Sequence, residues 1–147
     1  MAGDIIAGVV SEFVNAVAAG EVEKAVAYCA DDASWIVPEG TLSGNKEIQQ
    51  YLAHLKDSNK NISINDTGID LIVQGSEAIH EYIFKGTTKD GMPWTLLALT
   101  IYEFNSGKIK RMTTVFDRLA LVKQTARSWF TRMAVNRSVN FAERGMR

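Results

Sequence analysis

The chain has 147 residues, of which 46% are hydrophobic and 22% charged, and it contains only two prolines. This length and composition are typical of one globular domain with a sizeable core, and they exclude a fibrous or intrinsically disordered chain. One cysteine, Cys29, and two histidines exclude an internal disulfide and a structural zinc site.

The N-terminal residues include Asp4 and no basic stretch, unlike a secretion signal. No apolar run approaches the roughly 20 residues that a membrane span needs. We therefore expect a cytoplasmic protein without a membrane span.

The N-terminal part of the chain has helical periodicity. Apolar residues recur every three or four positions over residues 4–19, which predicts an amphipathic helix that Gly20 ends. A second helix is predicted over residues 21–30, with Cys29 on its apolar side, where a buried structural thiol is more typical than a nucleophile. A short strand, Ser34 to Val37, follows.

Residues 38–44 are predicted to form a loop, because Pro38 and two glycines interrupt the pattern. A third helix follows, with Ser43 or Asn45 as its cap. Its apolar face is formed by Ile48, Tyr51, Leu52 and Leu55.

Four runs rich in β-branched and aromatic residues come next, separated by turns that contain glycine. The predicted strands cover residues 62–74, 76–88, 93–105 and 107–117, and a last helix runs from 118 to 143. Because helices and strands are segregated along the chain, we expect an α+β fold. Its helices would pack on a curved antiparallel sheet and form a half-open cone with a cavity. Residues 1–124 would form this cone, and residues 125–147 a basic helical extension of the same domain.

Strand alternation divides the sheet residues between two faces. The residues predicted to face inward are mostly aromatic: Trp35, Tyr82, Phe84, Trp94 and Tyr102, with the smaller Ala98 and Thr100 between them. Such a wall suits a flat hydrophobic ligand that the hydroxyl groups would orient. Packing of the core explains the same residues without a ligand.

Leu97, Leu99 and Ile101 alternate with the inward set and are predicted to face outward. A sheet that is apolar on both faces buries both, so this pattern predicts a homodimer through the outer face of the sheet. The alternative is that the three side chains are exposed individually and form no interface.

Two segments resemble a known family. The sequence AYCADDASWIVPEG at residues 27–40, with GNKEIQQYL at 44–52, is similar to the opening of the nuclear-transport-factor-2-like superfamily. The sequences KIKRM at 108–112 and VFDRLALVKQ at 115–124 resemble the end of its SnoaL-like polyketide cyclase branch. The resemblance covers residues 5–124 and implies the cone fold, a scaffold that carries many unrelated functions.

The resemblance also assigns positions to known catalytic groups. Ketosteroid isomerases of this fold place a general-base Asp where this chain has Val37, an oxyanion-binding Tyr near Phe13 and a protonated Asp near Thr100. Limonene-epoxide hydrolases place an Arg-x-Asp pair near Tyr82 and Phe84. This chain has neither the general base nor the hydrogen-bond donors at these positions. The resemblance therefore implies neither activity.

Asp117 matches the last acid of the epoxide hydrolases and the acid that SnoaL-like cyclases use in an intramolecular aldol closure. Thr113, Val115 and Asp117 share one face of the last strand, which the resemblance makes the pocket face. There, desolvation would raise the pKa of the carboxyl group as a general acid/base needs. The alternative is a helix N-cap or an ion pair with Arg118.

His80 alternates with Tyr82 and Phe84 on its predicted strand. It is either a second proton carrier in the pocket or a buried histidine that hydrogen bonds a neighbouring strand.

The C-terminal segment is basic. Residues 118–147 carry seven Lys or Arg against one acid, so residues 1–117 carry a charge of −7. A basic helix with interleaved apolar residues suits nucleic acid or a membrane surface, but its charge also complements the acidic remainder. We therefore expect this helix to close the cone or to pack against the acidic part of a dimer partner. We expect no nucleic-acid partner.

Three functions remain. The chain contains no phosphate loop, dinucleotide fingerprint, nucleophile elbow or metal-ligand spacing, so we expect no cofactor and no metal. The first hypothesis is a cofactor-independent cyclase, isomerase or lyase that acts on a small hydrophobic, carbonyl-bearing or polyketide-like molecule through Asp117. The second is a non-catalytic binding protein for such a ligand, and the third is a protein-interaction module.

Overall fold

The computed structural model describes residues 2–125. In this part of the chain the order of elements is α1 (Ala2–Ala19), α2 (Val22–Ala27), β1 (Cys29–Val37), β2 (Gly40–Ser43), α3 (Gly44–Ser58), β3 (Asn59–Asp66), β4 (Ile72–Gln74), β5 (Glu77–Thr88), β6 (Pro93–Asn105), β7 (Lys108–Phe116) and α4 (Arg118–Thr125). None of these helices is long and apolar enough to cross a membrane. The predicted helical extension beyond Thr125 lies outside the described residues.

The strands form one seven-stranded sheet in the order β2-β1-β7-β6-β5-β3, and β4 also pairs with β5. All pairs are antiparallel except β1 and β7, which run parallel. Helix α1 contacts β3 and β4, and α3 contacts β1 and β3, so the N-terminal helices pack on a curved sheet. The predicted α+β cone is confirmed.

The core lies between the helices and the inner face of the sheet. Helix α1 buries Val10, Phe13 and Ala16, at the spacing of one helical face, and α3 buries Ile48 and Leu52. Full burial of a large apolar side chain contributes about 1.5–3 kcal/mol, so these contacts, with the sheet residues beneath them, hold the helices on the cone.

Three predicted boundaries are wrong because long-range pairing overrides the local pattern. Helix α2 ends at Ala27, and β1 begins at Cys29 rather than Ser34, since the backbone N–H of Ile109 on β7 bonds the carbonyl of Tyr28. The predicted loop 38–44 contains β2, which pairs with β1. The predicted strand 62–74 is divided into β3 and β4.

Strand β7 contains a bulge that changes which side chains face inward. The register shifts between Glu103 opposite Arg111 and Phe104 opposite Ile109, which leaves Lys110 as the extra residue. Counting by twos from buried Ile109 would put Thr113, Val115 and Asp117 inside, but beyond the bulge the buried residues are Met112 and Thr114. The predicted inward face of Thr113, Val115 and Asp117 is therefore wrong.

The outer face of the sheet is apolar, as predicted. Leu97 is 59% exposed and Ile101 38% exposed, and Leu99 between them is partly buried. Val115 on β7, which pairs with Leu99, is also exposed. The homodimer through this face stays a prediction.

Candidate functional site

The cone encloses a small space, here called the inner cavity, of about 40 Å³. Helices α1 and α3 and strands β1, β3, β5, β6 and β7 all contribute to its wall. The lining residues are Phe13, Val14, Val17, Trp35, Tyr51, Leu55, Ile64, Tyr82, Phe84, Thr100, Tyr102, Thr114 and Phe116. None of these side chains is an acid, a histidine, a lysine or an arginine, so the wall carries no ionic group at neutral pH.

A chain of hydrogen bonds crosses this wall and is here called the hydroxyl chain. The Tyr82 hydroxyl lies 2.9 Å from Thr100 Oγ1, which lies 2.8 Å from Thr114 Oγ1. Trp35 Nε1 donates to Thr114 Oγ1 at 2.9 Å. All four side chains are buried, and the register of β6 and β7 places Thr100 opposite Thr114. These polar groups are therefore held in fixed positions within an apolar surface.

Three tyrosines line the inner cavity as neutral phenols. Burial raises the pKa of Tyr82, which the hydroxyls of Thr100 and Thr114 lower by a smaller amount. Burial also raises the pKa of Tyr102 well above its usual range, and Tyr82 raises it further. For Tyr51, burial raises the pKa most, followed by the charge of Glu39. At neutral pH each phenol keeps its hydrogen.

The inner cavity adjoins a wider cleft at the rim of the cone, here called the rim cleft, of about 290 Å³. Tyr51, Leu55, Phe84 and Phe116 line both spaces. The other lining residues of the rim cleft are Glu39, His54, Ser58, Asn59, Thr88, Trp94, Leu96, Leu121 and Thr125. The last two belong to α4, so this helix forms one side of the rim cleft.

Trp94 is the largest side chain of the rim cleft, and contacts with three residues hold it in place. Its Nε1 donates to Asn59 Oδ1 at 2.9 Å, and its ring meets the edge of Phe84 with centroids 4.8 Å apart. The backbone of Gly86 lies against the indole, where a Cβ atom would come within 2.5 Å of Trp94 Cζ2. A side chain at position 86 would therefore displace the tryptophan.

His80 lies on the other side of the cone, in a cleft of about 330 Å³ between α1 and the segment that joins β3 to β4. Its ring is buried, is stacked on Tyr82, and pairs through Nε2 with Asp66 Oδ1 on β3 at 3.1 Å. It does not line the inner cavity or the rim cleft. The alternative of a histidine hydrogen bonded to a neighbouring strand is confirmed, and a proton-carrier role stays a prediction.

Asp117 is exposed and lies outside the inner cavity and the rim cleft. Its Oδ1 accepts a hydrogen bond from the backbone N–H of Ala120 at 3.0 Å, which is the geometry of a helix N-cap on α4. The prediction of a desolvated carboxyl group at the pocket wall is therefore corrected. The bulge at Lys110 is the physical reason, since it turns Phe116 rather than Asp117 toward the cavity.

Cys29 is buried at the start of β1 and borders an outer groove of about 570 Å³ between α2 and α3. Burial raises the pKa of the thiol to about 12, against a smaller lowering by Lys108. At neutral pH the group is therefore a thiol and not a nucleophilic thiolate, as the sequence indicates. Among the described residues, no cluster of His, Cys, Asp or Glu could hold a metal ion.

The structure brings together most of the residues predicted to bind a ligand. Trp35, Tyr82, Phe84, Thr100 and Tyr102 line the inner cavity, and Phe84 and Trp94 line the rim cleft. Their shared face is confirmed, whereas ligand binding by them stays a prediction.

Sequence reasoning missed Tyr51, Thr114 and Phe116 as lining residues of the inner cavity. The signal for Tyr51 was a polar aromatic residue on the apolar face of α3. Thr114 and Phe116 were missed because the resemblance assigned the opposite face of β7, that of Thr113, Val115 and Asp117, to the pocket.

The sequence profile of the SnoaL-like domain matches residues 10–112. None of the curated proteins matches the sequence.

Several solved structures share the fold. A proposed polyketide cyclase from Xanthomonas campestris pv. campestris is 18% identical, with a TM-score of 0.76 over 83% of this chain and 97% of that one. TerC, co-crystallised with polyporic acid, is 20% identical, with a TM-score of 0.73 over 82% of this chain and 97% of TerC. A protein from Catenulispora acidiphila with a ketosteroid isomerase-like fold, in complex with trimethylamine, is 15% identical, with a TM-score of 0.74 over 82% and 93% of the two chains.

Identities this low support a common fold and carry no activity from one protein to the other. The sequence profile is the more specific finding, because it covers more than half of the chain and includes α3 and the strands β1, β5 and β6. The protein belongs to the SnoaL-like domain family.

Proposed function

We propose that the protein binds a small, uncharged and largely apolar molecule in the inner cavity and the rim cleft. The observation that carries this proposal is an uncharged aromatic wall with fixed hydroxyl groups beside a cleft of about 290 Å³. Ligand sites are typically mostly apolar with a few placed polar groups, and about 300 Å³ is the lower end of their usual size. The ligand is accordingly a molecule of one or two rings.

The charge of the ligand follows from the wall of the inner cavity. The ionised forms of its three tyrosines are disfavoured by burial, so no charged side chain among the described residues faces the ligand there. An ionic group on the inserted end of a ligand would lose its hydration without gaining a partner of opposite charge. Neutral ligands are therefore preferred over acids and amines of the same shape.

Thermal shift measurements test this proposal with three probes that share one bicyclic body: 1-tetralone, tetralin-1-carboxylate and 1-aminotetralin. A ligand that binds only the native state raises the melting temperature. We expect 1-tetralone to raise it by a few degrees at saturation and the two ionic probes to have a much smaller effect. A larger shift with either ionic probe would contradict the proposal.

A matched pair of variants on α4 locates the site. Leu121 lines the rim cleft, whereas Leu119 on the same helix lines neither space and is 37% exposed. We expect Leu121→Trp to fill part of the rim cleft and weaken the binding of 1-tetralone, and Leu119→Trp to leave it unchanged. Equal effects of the two variants would place the ligand elsewhere.

We propose a cofactor-independent proton transfer, as in an isomerase or cyclase, as a second function. Two titratable side chains, Glu39 and His54, line the rim cleft beside the proposed ligand. General acid/base catalysis needs such a group within hydrogen-bond reach of the substrate. The family of the chain and its likeness to a proposed polyketide cyclase support this candidate.

Exchange of the α-hydrogens of 2-tetralone for deuterium in D₂O, followed by NMR, tests the second function. Proton abstraction beside the carbonyl is the step that such enzymes share, and the probe needs no cofactor. We expect exchange above the buffer rate, a loss in Glu39→Gln or His54→Gln, and none in Asp117→Asn. If the exchange stays at the buffer rate, the catalytic candidate is wrong and the binding proposal stands.

A further inference from the structure

The hydroxyl chain contains more hydrogens than its contacts use. The indole nitrogen of Trp35 only donates, and the hydroxyls of Tyr82, Thr100 and Thr114 carry one hydrogen each. The hydroxyl chain contains only three hydrogen bonds for these four hydrogens, with donor–acceptor distances of 2.9, 2.8 and 2.9 Å. Whatever the orientation of each hydroxyl, one hydrogen remains without a partner within the chain.

One donor is fixed, because the indole of Trp35 can only donate to Thr114, whereas either atom can donate in the other two contacts. In one order Thr114 then donates to Thr100, and Thr100 donates to Tyr82. This head-to-tail order is favoured, since a hydroxyl that accepts one hydrogen bond donates a stronger one. The hydrogen that remains is then the phenolic hydrogen of Tyr82.

One neighbouring oxygen competes for this hydrogen. The Thr114 hydroxyl lies near enough to Tyr82 to lower the pKa of the phenol. The two groups nevertheless make no hydrogen bond of standard geometry, and among the described residues Thr100 is the one hydrogen-bond partner of the phenol, to which it donates in this order. A poorly aligned contact is weak, so an acceptor that enters the inner cavity along the phenol O–H direction replaces it.

We propose that Tyr82 donates this hydrogen to a carbonyl oxygen of the ligand, which therefore enters the cone with its carbonyl group first. The inference rests on the proposed function and adds the orientation and the chemical class of the ligand. A carbonyl oxygen suits the position because it accepts two hydrogen bonds and brings no hydrogen of its own. The inner cavity of about 40 Å³ admits a group of this size, and the rings remain in the rim cleft against Trp94.

The test compares 1-tetralone with 1-methylidenetetralin, in which a CH₂ group replaces the carbonyl oxygen at nearly the same shape. We expect the wild-type protein to bind the ketone more tightly and to shift its infrared carbonyl stretch to lower wavenumber. In Tyr82→Phe we expect ketone binding to weaken about 3- to 10-fold, the usual effect of one buried hydrogen bond, and the stretch to return toward its unbonded value. Binding of the hydrocarbon should change less than about twofold.

Tyr28→Phe is the matched control, because Tyr28 packs against the core but lines neither the inner cavity nor the rim cleft. We expect it to keep the preference for the ketone. Equal binding of ketone and hydrocarbon by the wild type overturns the inference and leaves the proposed function intact. A loss of preference in Tyr28→Phe but not in Tyr82→Phe does the same. Binding of neither probe contradicts the proposed function and the inference with it.

Discussion

Asp117 stabilises the start of α4 through its carboxylate, which accepts the backbone N–H of Ala120 at 3.0 Å. Removal of an N-cap side chain costs about 1 kcal/mol, whereas Asn caps a helix nearly as well as Asp. We therefore expect Asp117→Ala to lower the free energy of unfolding by about 1 kcal/mol and Asp117→Asn to change it by less than about 0.5 kcal/mol. Urea denaturation of the three proteins measures both values, and equal stability of Asp117→Ala and wild type would exclude a stabilising cap.

Gly86 is needed because the indole of Trp94 occupies the space of its missing side chain. A Cβ atom there would lie 2.5 Å from Trp94 Cζ2 and 2.9 Å from Cε2. Because Trp94 is held by Asn59 and Phe84, it has little freedom to move away. We expect Gly86→Ala to destabilise the protein by about 1–3 kcal/mol, as overpacking does.

Gly8→Ala is the control for this substitution. Gly8 lies on α1, and a Cβ atom there would meet nothing within 4 Å. In a helix, Ala is favoured over Gly by about 0.8–1 kcal/mol, so this variant should be more stable than the wild type. Thermal or urea unfolding of the two variants should give shifts of opposite sign, and a neutral Gly86→Ala would show that the indole moves at little cost.

At the residue scale, alternation within a strand predicts much of the candidate site. Trp35, Tyr82, Thr100 and Tyr102 all lie on the predicted inner face, because a regular strand repeats every two residues. The assignment of Asp117 to the inner face rested on the resemblance and failed. In the structure the extra residue Lys110 shifts the repeat along β7, and Thr114 and Phe116 line the cavity instead. A bulge depends on the partner strand, and the local pattern of hydrophobicity does not reveal it.

The side chain of Gln124 attaches the helix α4 to the sheet by two hydrogen bonds. The Gln124 amide accepts the backbone N–H of Thr95 at 2.7 Å and donates to the carbonyl of the same residue at 3.0 Å. Strand β7 ends opposite Ala98, so Thr95 has no partner on that strand. The amide thus continues the hydrogen bonding of the sheet where β7 stops, and it holds α4 beside the rim cleft.

Replacement of Gln124 by Leu removes both hydrogen bonds to Thr95, and a third to the carbonyl of Ala120, at similar side-chain size. Each such bond contributes about 1 kcal/mol, so we expect the amides of α4 to exchange with deuterium about 5-fold faster or more. Lys123→Gln, a change at an exposed position on the same helix, should leave the exchange unchanged. Unaltered protection in Gln124→Leu would mean that α4 is held by its apolar contacts alone.

At the scale of elements, the sequence predicts the helices and hairpins better than the pairing between distant strands. Helix α1 has a clear apolar face, and Gly75, Gly91 and Gly107 at the predicted turns all have positive φ. Strand β1, in contrast, starts where Cys29 pairs with Ile109, some 80 positions along the chain. A helical pattern over residues 21–30 contains no information about such a partner, so the boundary was misplaced.

At the scale of the whole molecule, the outer face of the sheet presents an apolar surface. Ile72, Ile79 and Ile101 form one row across three strands, and Leu97 and Val115 lie beside it. Charged groups on the same face differ in sign along β5, with Glu77 at one end and Lys85 towards the other. A second copy related by a twofold axis perpendicular to β5 would place the acidic end of one sheet against the basic end of its partner.

The predicted homodimer through this face can be tested by the mass of the protein in solution. We expect analytical ultracentrifugation to give twice the mass of one chain for the wild type. Leu97→Glu should give the mass of one chain, because a carboxylate at the centre of an apolar interface loses its hydration without a partner. Ile5→Glu is the control, since Ile5 is 63% exposed on α1, away from the sheet face, and its substitution should leave the dimer intact. A monomeric wild type would exclude this assembly, and a dimeric Leu97→Glu would place the interface on another surface.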